Sequence, residues 1–264
     1  MIPLIKAHAY GNDFLYVNER DAREHDRVAL ARRLCDRHTG VGADGLILFH
    51  RTPGGAAMRL LNSDGSHAEV SGNGVRGLAA VLVDVLGFAA ADRTVRIDTD
   101  AGLKSLELVG RDGSRPVFRA AMGEPTAPGR QTLSVAGEPL EVVTMRVGNP
   151  QCVRLESALS EDRLHRIGPA LSSHPAFPEG ANVEIAAVEA PDLVRILIWE
   201  RGVGPTLASG TGARAAAVAA SMHGGAGRDV RVVSPGGSQR VEWREDGLFL
   251  TGWAEVVLRG AWTV

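Results

Sequence analysis

The sequence predicts an α+β protein made of two pseudo-symmetric halves, each a set of antiparallel strands around one central helix. Three observations carry that prediction. First, one pattern occurs twice: Ser71-Gly72-Asn73-Gly74-Val75-Arg76 and Ser209-Gly210-Thr211-Gly212-Ala213-Arg214 both read Ser-Gly-x-Gly-x-Arg and both run into small apolar residues. Second, other landmarks keep step with it. Asn12 of Gly11-Asn12 lies 59 positions before Ser71 and Asn149 of Gly148-Asn149 lies 60 before Ser209, while Asn62 and Glu200 each lie nine before their serine. Halves of about 130 residues that repeat three landmarks in one order mark a duplicated domain, and the period is far too long for a solenoid. Third, strand-like runs outnumber helical ones, and each half holds one glycine-introduced, Ala-rich helix. A helix apolar on most faces must be buried, and antiparallel strands wrapped around it are the simplest way to bury it.

In chain order, residues 14–17, 46–49, 58–61, 94–98, 104–108 and 140–145 read as strands of the first half and its crossover. The second half continues with 152–155, 183–185, 194–198, 230–233, 239–243 and 248–258. Helical periodicity marks 26–37, 74–86, 161–171 and 212–222. Ser71 and Ser209 are favoured N-cap residues, the glycines let backbone approach a ligand, and the alanines that follow are strong helix formers. The boundary is expected within 116–137, where Gly123-Glu124-Pro125-Thr126-Ala127-Pro128-Gly129 is the most turn-rich stretch. The halves are therefore 1–122 and 123–264, with C-terminal strands able to return to the first half.

Composition excludes several classes. A net charge of −2 with 23% charged residues offers no basic surface for nucleic acid. No apolar run approaches the roughly 18–20 residues that span a bilayer, and the first residues lack the layout of a signal peptide. The expectation is a cytoplasmic protein with no membrane partner. Cys35 and Cys152 form neither a disulfide framework nor a metal-ligand spacing, so two reduced thiols and no structural zinc are expected. Gly40-Val41-Gly42-Ala43-Asp44-Gly45 matches GxGxxG, yet it follows a helix and leads into a strand, the reverse of a dinucleotide fingerprint. It reads as a tight turn. Neither a GxxxxGK[ST] loop nor a Gly-x-Ser-x-Gly elbow is present.

Six segments then resemble one family. They are Lys6-Ala7-His8-Ala9-Tyr10-Gly11-Asn12-Asp13-Phe14, Cys35-Asp36-Arg37-His38-Thr39 with the glycine turn that follows, Asn62-Ser63-Asp64-Gly65-Ser66 running into Gly72-Asn73-Gly74, Val147-Gly148-Asn149-Pro150, Ala181-Asn182-Val183, and Trp199-Glu200-Arg201-Gly202 through Gly210-Thr211-Gly212. In this order, over almost the full length, they resemble the diaminopimelate epimerase family. The resemblance implies two pseudo-symmetric halves, each a β-barrel-like antiparallel sheet wrapped around a central helix, with the active site between them. It implies an isomerase that interconverts LL- and meso-diaminopimelate, in the route to lysine and peptidoglycan, with neither cofactor nor metal. A homodimer is implied, with a small-molecule amino acid as partner. Carried over by position, Asn12, Asn62, Asn149, Asn182, Glu200 and Arg201 would hold the distal amino-acid end. Gly72-Asn73 and Gly210-Thr211 would hold the reacting carboxylate at two helix N-termini, where the charge developed on α-proton removal is stabilised.

The departures are as informative as the matches. Ser71 and Ser209 occupy the positions of the family's two catalytic cysteines, and Gln151 stands where the family has histidine. A thiol ionises near pH 8.5 and lower at a helix N-terminus, whereas a serine hydroxyl needs a neighbouring base. Three readings stay open: an epimerase with an unorthodox acid/base pair; another cofactor-free proton transfer or elimination with Asp13, Glu69 or Glu200 as base; and a catalytically silent amino-acid-binding protein. Cys152, in a strand, reads as a buried hydrophobe before a relocated thiol. His8 and His38 read as structural. His67, four residues before Ser71, is the candidate for a missing base.

Overall fold

The computed structural model describes residues 1–89, 92–135 and 137–263. The chain forms two units, 1–120 with 252–264, and 121–251. Each is a mixed, mostly antiparallel sheet curled around one helix.

In the first unit, β1 (Ile2–Ala9) and β2 (Asn12–Asn18) make a hairpin whose two-residue turn, Tyr10 and Gly11, has positive φ at both positions (57° and 91°). Turns of this hand match strand twist, and glycine at the second position removes the Cβ penalty there. The turn delivers Asn12 to the start of β2. From β2 the chain crosses through α1 (Arg27–Cys35) to β3 (Gly45–Thr52), which lies parallel to β2. Parallel neighbours cannot be joined by a tight turn, so a helix fills the crossover. β4 (Gly55–Asn62) returns antiparallel and ends near the short β5 (His67–Ala68). A second crossover, α2 (Gly72–Asp84), leads to β6 (Thr94–Thr99), parallel to β4. The antiparallel β7 (Gly102–Asp112) and β8 (Arg115–Ala121) complete the run.

The second unit repeats this plan element for element. β9 (Thr126–Val135) pairs with β10 (Glu138–Val147), which pairs with β11 (Asn149–Leu155). α3 (Glu161–Ser172) crosses to β12 (Asn182–Ala190), parallel to β11, and β13 (Leu193–Glu200) returns antiparallel with the short β14 (Gly204–Thr206) at its end. α4 (Gly210–Ala219) then crosses to β15 (Asp229–Ser234), parallel to β13, and β16 (Gly237–Arg244) and β17 (Gly247–Trp253) follow antiparallel. β18 (Glu255–Trp262) pairs with β1 as β9 pairs with β10.

Packing explains the two kinds of crossover. α4 lies against β10, β11, β12, β13, β15 and β16, and its alanines share a cluster with Val153, Ala186, Ile196, Ile198, Val232 and Leu250. α2 is equally enclosed, with Leu78, Ala79, Ala80, Val81 and Leu82 all without exposed surface. Alanine suits such a helix because strands can approach its backbone from every side. α1 and α3 are amphipathic and cover the outer sheet face: Leu164, Ile167 and Leu171 pack on Cys152, Val183 and Ile185, and Leu30, Leu34 and Cys35 pack on Leu46 and Leu48. Both cysteines are free and buried on this outer layer.

The turn-rich stretch 123–129 also holds the start of a strand. Strand β9 begins at Thr126 inside it, and the register to β10 slips between Thr144 and Arg146, opposite Gly129 and Thr126. Ala127 sits at φ 51°, so the turn residues Ala127 and Pro128 form a bulge within a strand.

Candidate active site

Each unit presents a candidate site at the N-terminus of its central helix. Ser71 caps α2 from an extended backbone (φ −126°, ψ 124°), its Oγ accepting from the Gly74 N–H at 3.1 Å. Ser209 caps α4 in the same way (φ −136°, ψ 125°), with Gly212 N–H at 3.2 Å and the Thr211 hydroxyl at 3.1 Å. In both, the first-turn N–H groups have no partner inside the helix and the positive dipole end is turned outward, which is the chemistry of a carboxylate site. Arg76 and Arg214, at matching positions of the two helices, are both buried, and Arg214 donates to the carbonyls of Gly210 and Met122.

In the first unit the structure brings Asn12, Asn73 and Ser71 into one neighbourhood. Asn73 donates to Asn12 Oδ1 at 3.3 Å, and Asn12 donates to Asp44 at 2.6 Å. Asp44 is held in turn by Arg37, 2.7 Å away, which also pairs with Asp13 at 2.8 Å, and Lys6 pairs with Asp13 at 2.8 Å. Burial alone would raise the Asp13 carboxyl, but the hydrogen bonds from Arg37 and Lys6 outweigh it and hold the group below its ordinary value. Asp13 is thus a fixed anion that anchors the Asn12 strand, ill-suited to act as a base. Asn62 is exposed at the end of β4 and donates to Ser66 Oγ at 2.9 Å. Glu69 is exposed in the segment leading to α2.

His67 is turned elsewhere. Its Nε2 lies 2.8 Å from Asp100, and among the described residues no hydrogen bond joins it to Ser71. His8 accepts from the Gly11 N–H at 3.1 Å and so supports the β1–β2 turn. His38 is exposed within the turn capped by Asp36.

In the second unit, Asn149, Gln151, Asn182, Glu200 and Thr206 gather on the strand ends beside α4. Gln151 donates to Asn149 at 2.5 Å; Asn182 is buried and accepts from the Arg201 N–H at 3.0 Å. The Thr206 hydroxyl donates to Glu200 at 2.8 Å. The Arg201 guanidinium is exposed and donates to the Glu179 carbonyl. Cys152 faces the opposite side, against α3, where burial pushes its thiol up. Burial likewise pushes Cys35 to about 12, reinforced by Asp13 and Asp44. Neither thiol is a nucleophile in waiting.

Two residues escape the sequence reading. Asp44 looked like part of a turn, and what marks it in the structure is its hydrogen bond to Asn12 just ahead of β3. Glu184 looked like the polar position of an alternating strand. The signal for it lay in the period of two, which puts Glu184 on the same sheet face as Asn182.

Solved structures share this architecture. A phenazine biosynthesis protein of the PhzF family from Bacillus anthracis superposes with a TM-score of 0.73 at 15% identity, covering 100% of this chain and 99% of that one. A hydroxyproline epimerase from Agrobacterium vitis gives a TM-score of 0.71 at 16% identity over 98% and 91% of the two chains. These likenesses define the fold class. The profile of the family described as Diaminopimelate epimerase matches residues 4–127 and 143–257. Diaminopimelate epimerase from Pelotomaculum thermopropionicum is 40% identical over 97% of this chain and 96% of its own, and diaminopimelate epimerase 1 from a Nostoc species is 39% identical over 98% and 99%. The chain belongs to the diaminopimelate epimerase family, a family of isomerases.

Proposed function

We propose that the protein is a cofactor-independent epimerase that inverts the α-carbon of LL- and meso-diaminopimelate, each serine-capped half-site serving one face of that carbon. The observation that carries this reading is the twin cap: two helix starts with the same residues, the same backbone angles and the same Oγ contact. First-turn N–H groups at Gly72-Asn73 and Gly210-Thr211 suit the reacting carboxylate, whose negative charge grows as the α-proton leaves. Glu200 suits an ammonium and Arg201 a distal carboxylate, with the amides of Asn12, Asn62, Asn149 and Asn182 completing the donors and acceptors. The names of its relatives support diaminopimelate as substrate, and with it a place in lysine and peptidoglycan synthesis. A cytoplasmic homodimer belongs to the same reading.

One observation favours a second reading. Among the described residues neither serine hydroxyl has a hydrogen bond to a titratable side chain. A silent amino-acid-binding protein would need none. The two readings part in deuterated water: incubation with LL-diaminopimelate and measurement of α-deuterium above a no-enzyme blank establishes epimerase chemistry. Saturable binding without exchange establishes the silent binder, and absence of both sinks diaminopimelate as the ligand.

A further inference from the structure

The repeat exposes one position where the two units carry opposite chemistry. Under the first turn of α2 the floor is apolar: a Cβ added at Gly74 would lie 2.9 Å from Ile47 Cδ1 and 3.6 Å from Phe14 Cε2. Under α4 the equivalent Cβ at Gly212 would lie 2.5 Å from Glu184 Oε1. Register establishes the equivalence. Across the parallel pair β2 and β3, Phe14 faces Gly45 and Tyr16 faces Ile47; across β11 and β12, Gln151 faces Asn182 and Val153 faces Glu184. Gln151 therefore stands where the first unit has Phe14, and Glu184 stands where it has Ile47.

Nothing in the fold requires that carboxyl, since isoleucine fills the same place in the other unit. Glu184 has no exposed surface, and neither of its oxygens has a hydrogen-bond partner. The Gln151 Oε1 beside it is buried without a donor as well. An isolated carboxyl buried in this way costs stability that an apolar side chain would not. Its position is functional in kind. The Ser209 Oγ accepts from Gly212 N–H at 3.2 Å, so hydroxyl and carboxyl flank one glycine at the start of α4.

We propose that Glu184 is the proton source behind Ser209: a buried carboxylic acid that replenishes the serine hydroxyl when that hydroxyl reprotonates the substrate α-carbon. The inference rests on the epimerase function proposed above. In the step, the Ser209 O–H bond breaks as the new C–H bond forms, and the Glu184 carboxyl, unbonded to Ser209 at rest, turns to it so that the Glu184 O–H bond breaks as its proton passes to Ser209 Oγ. Glu184 is left as a carboxylate and regains a proton from solvent after product leaves. Burial drives this carboxyl well above the ordinary carboxylate range, and the Glu200 charge pushes it the same way. That shift favours the neutral, protonated form, the one able to donate. Glu200 faces it from β13 and the Gln151 amide from β11, while Gly212, capped by Ser209, meets it from α4, whose Arg214 donates to the Gly210 and Met122 carbonyls. Two carboxyls on neighbouring strands thus take different parts, one charged for the ammonium and one neutral for the proton.

The test uses the full chain, Glu184→Gln and Glu184→Ile, each given LL- and meso-diaminopimelate separately in deuterated water, with exchange and inversion both followed. In both variants inversion falls by about 100-fold or more. Exchange persists near the parent rate for the isomer whose α-hydrogen meets the Ser71 side and is lost for the other. The infrared spectrum at neutral pH shows a protonated-carboxyl band that vanishes in Glu184→Gln, and Glu184→Ile melts no lower than the parent. Equal loss for both isomers, no loss, or no acid band in an active parent overturns the proposal. A parent that exchanges neither isomer overturns the epimerase function itself, and the donor role with it.

Discussion

Ser71 and Ser209 satisfy the same local need that a cysteine would satisfy less well. Each accepts a hydrogen bond from the third residue of its helix, and exchange of an N-cap hydroxyl for a weaker acceptor costs about 1 kcal/mol. Thiols, however, ionise near neutrality at helix N-termini. The double variant Ser71→Cys with Ser209→Cys is therefore expected to unfold at lower denaturant by roughly 2 kcal/mol and to epimerise about 100-fold faster or more. Its rate should rise with pH through the thiol pKa, at or below about 8.5. Lower stability without a faster rate would mean that proton transfer does not run through the caps. Asp13 permits a second prediction. Its folded pKa lies below its unfolded value of about 3.9, so its contribution is complete above that pH and is lost as pH falls through the folded value. Asp13→Asn should cost about 1.5–3 kcal/mol at neutral pH, and the gap to the parent should narrow toward about pH 3; urea titrations at the two pH values measure both. At this scale the sequence made Asn12 and Asn182 legible through the segments around them. Glu184 stayed hidden because a lone glutamate in a strand looks like an outward residue until the strand is known to be covered on both faces.

Helices α2 and α4 show how packing overrules propensity. Gly77 lies in the middle of α2, where alanine would favour the helix by about 1 kcal/mol. A Cβ there would stand 2.0 Å from the Tyr16 hydroxyl, which donates to the Gly74 carbonyl at 2.9 Å. The ring is fully buried and cannot swing aside, so the close approach that glycine permits is what seats the helix on β2. Gly77→Ala is expected to destabilise by about 1–3 kcal/mol despite its better propensity, read from the urea midpoint, and an unchanged or raised midpoint would refute the close fit. The helices were legible in sequence because capping serines and small-residue runs are local signals. Strand β9 was not, because its bulge at Ala127 and Pro128 uses turn residues inside a paired strand. The whole of β1 was also passed over, since Ile2 to Ala9 interleaves lysine, histidine and proline with its apolar residues.

At the scale of the whole chain the repeat governs the pairing, including the strand that closes each sheet. Three landmark spacings were enough to reveal two halves, because insertions between them nearly cancel. Which strands return to which half depends on contacts some 250 residues apart in sequence, as between Ile2 and Trp262, and no local pattern reports those. The first unit is thus discontinuous, and its last strand is its most testable part. β18 pairs with β1 along its length, Trp262 packs on the cluster around Leu30 and Leu34 and lies under the Arg33 guanidinium, and the Trp253 N–H donates to Tyr10 Oη at 3.0 Å. Removing residues 252–264 leaves one edge of β1 unpaired and withdraws the hydrogen bond at the turn that orients Asn12. Amide exchange should accelerate in β1, β2 and α2 by a large factor while β12, β13 and α4 keep their protection, because the second unit has its own cluster. Equal acceleration in both units would show that the two fold as one cooperative body; no acceleration would show that β18 is dispensable to the first.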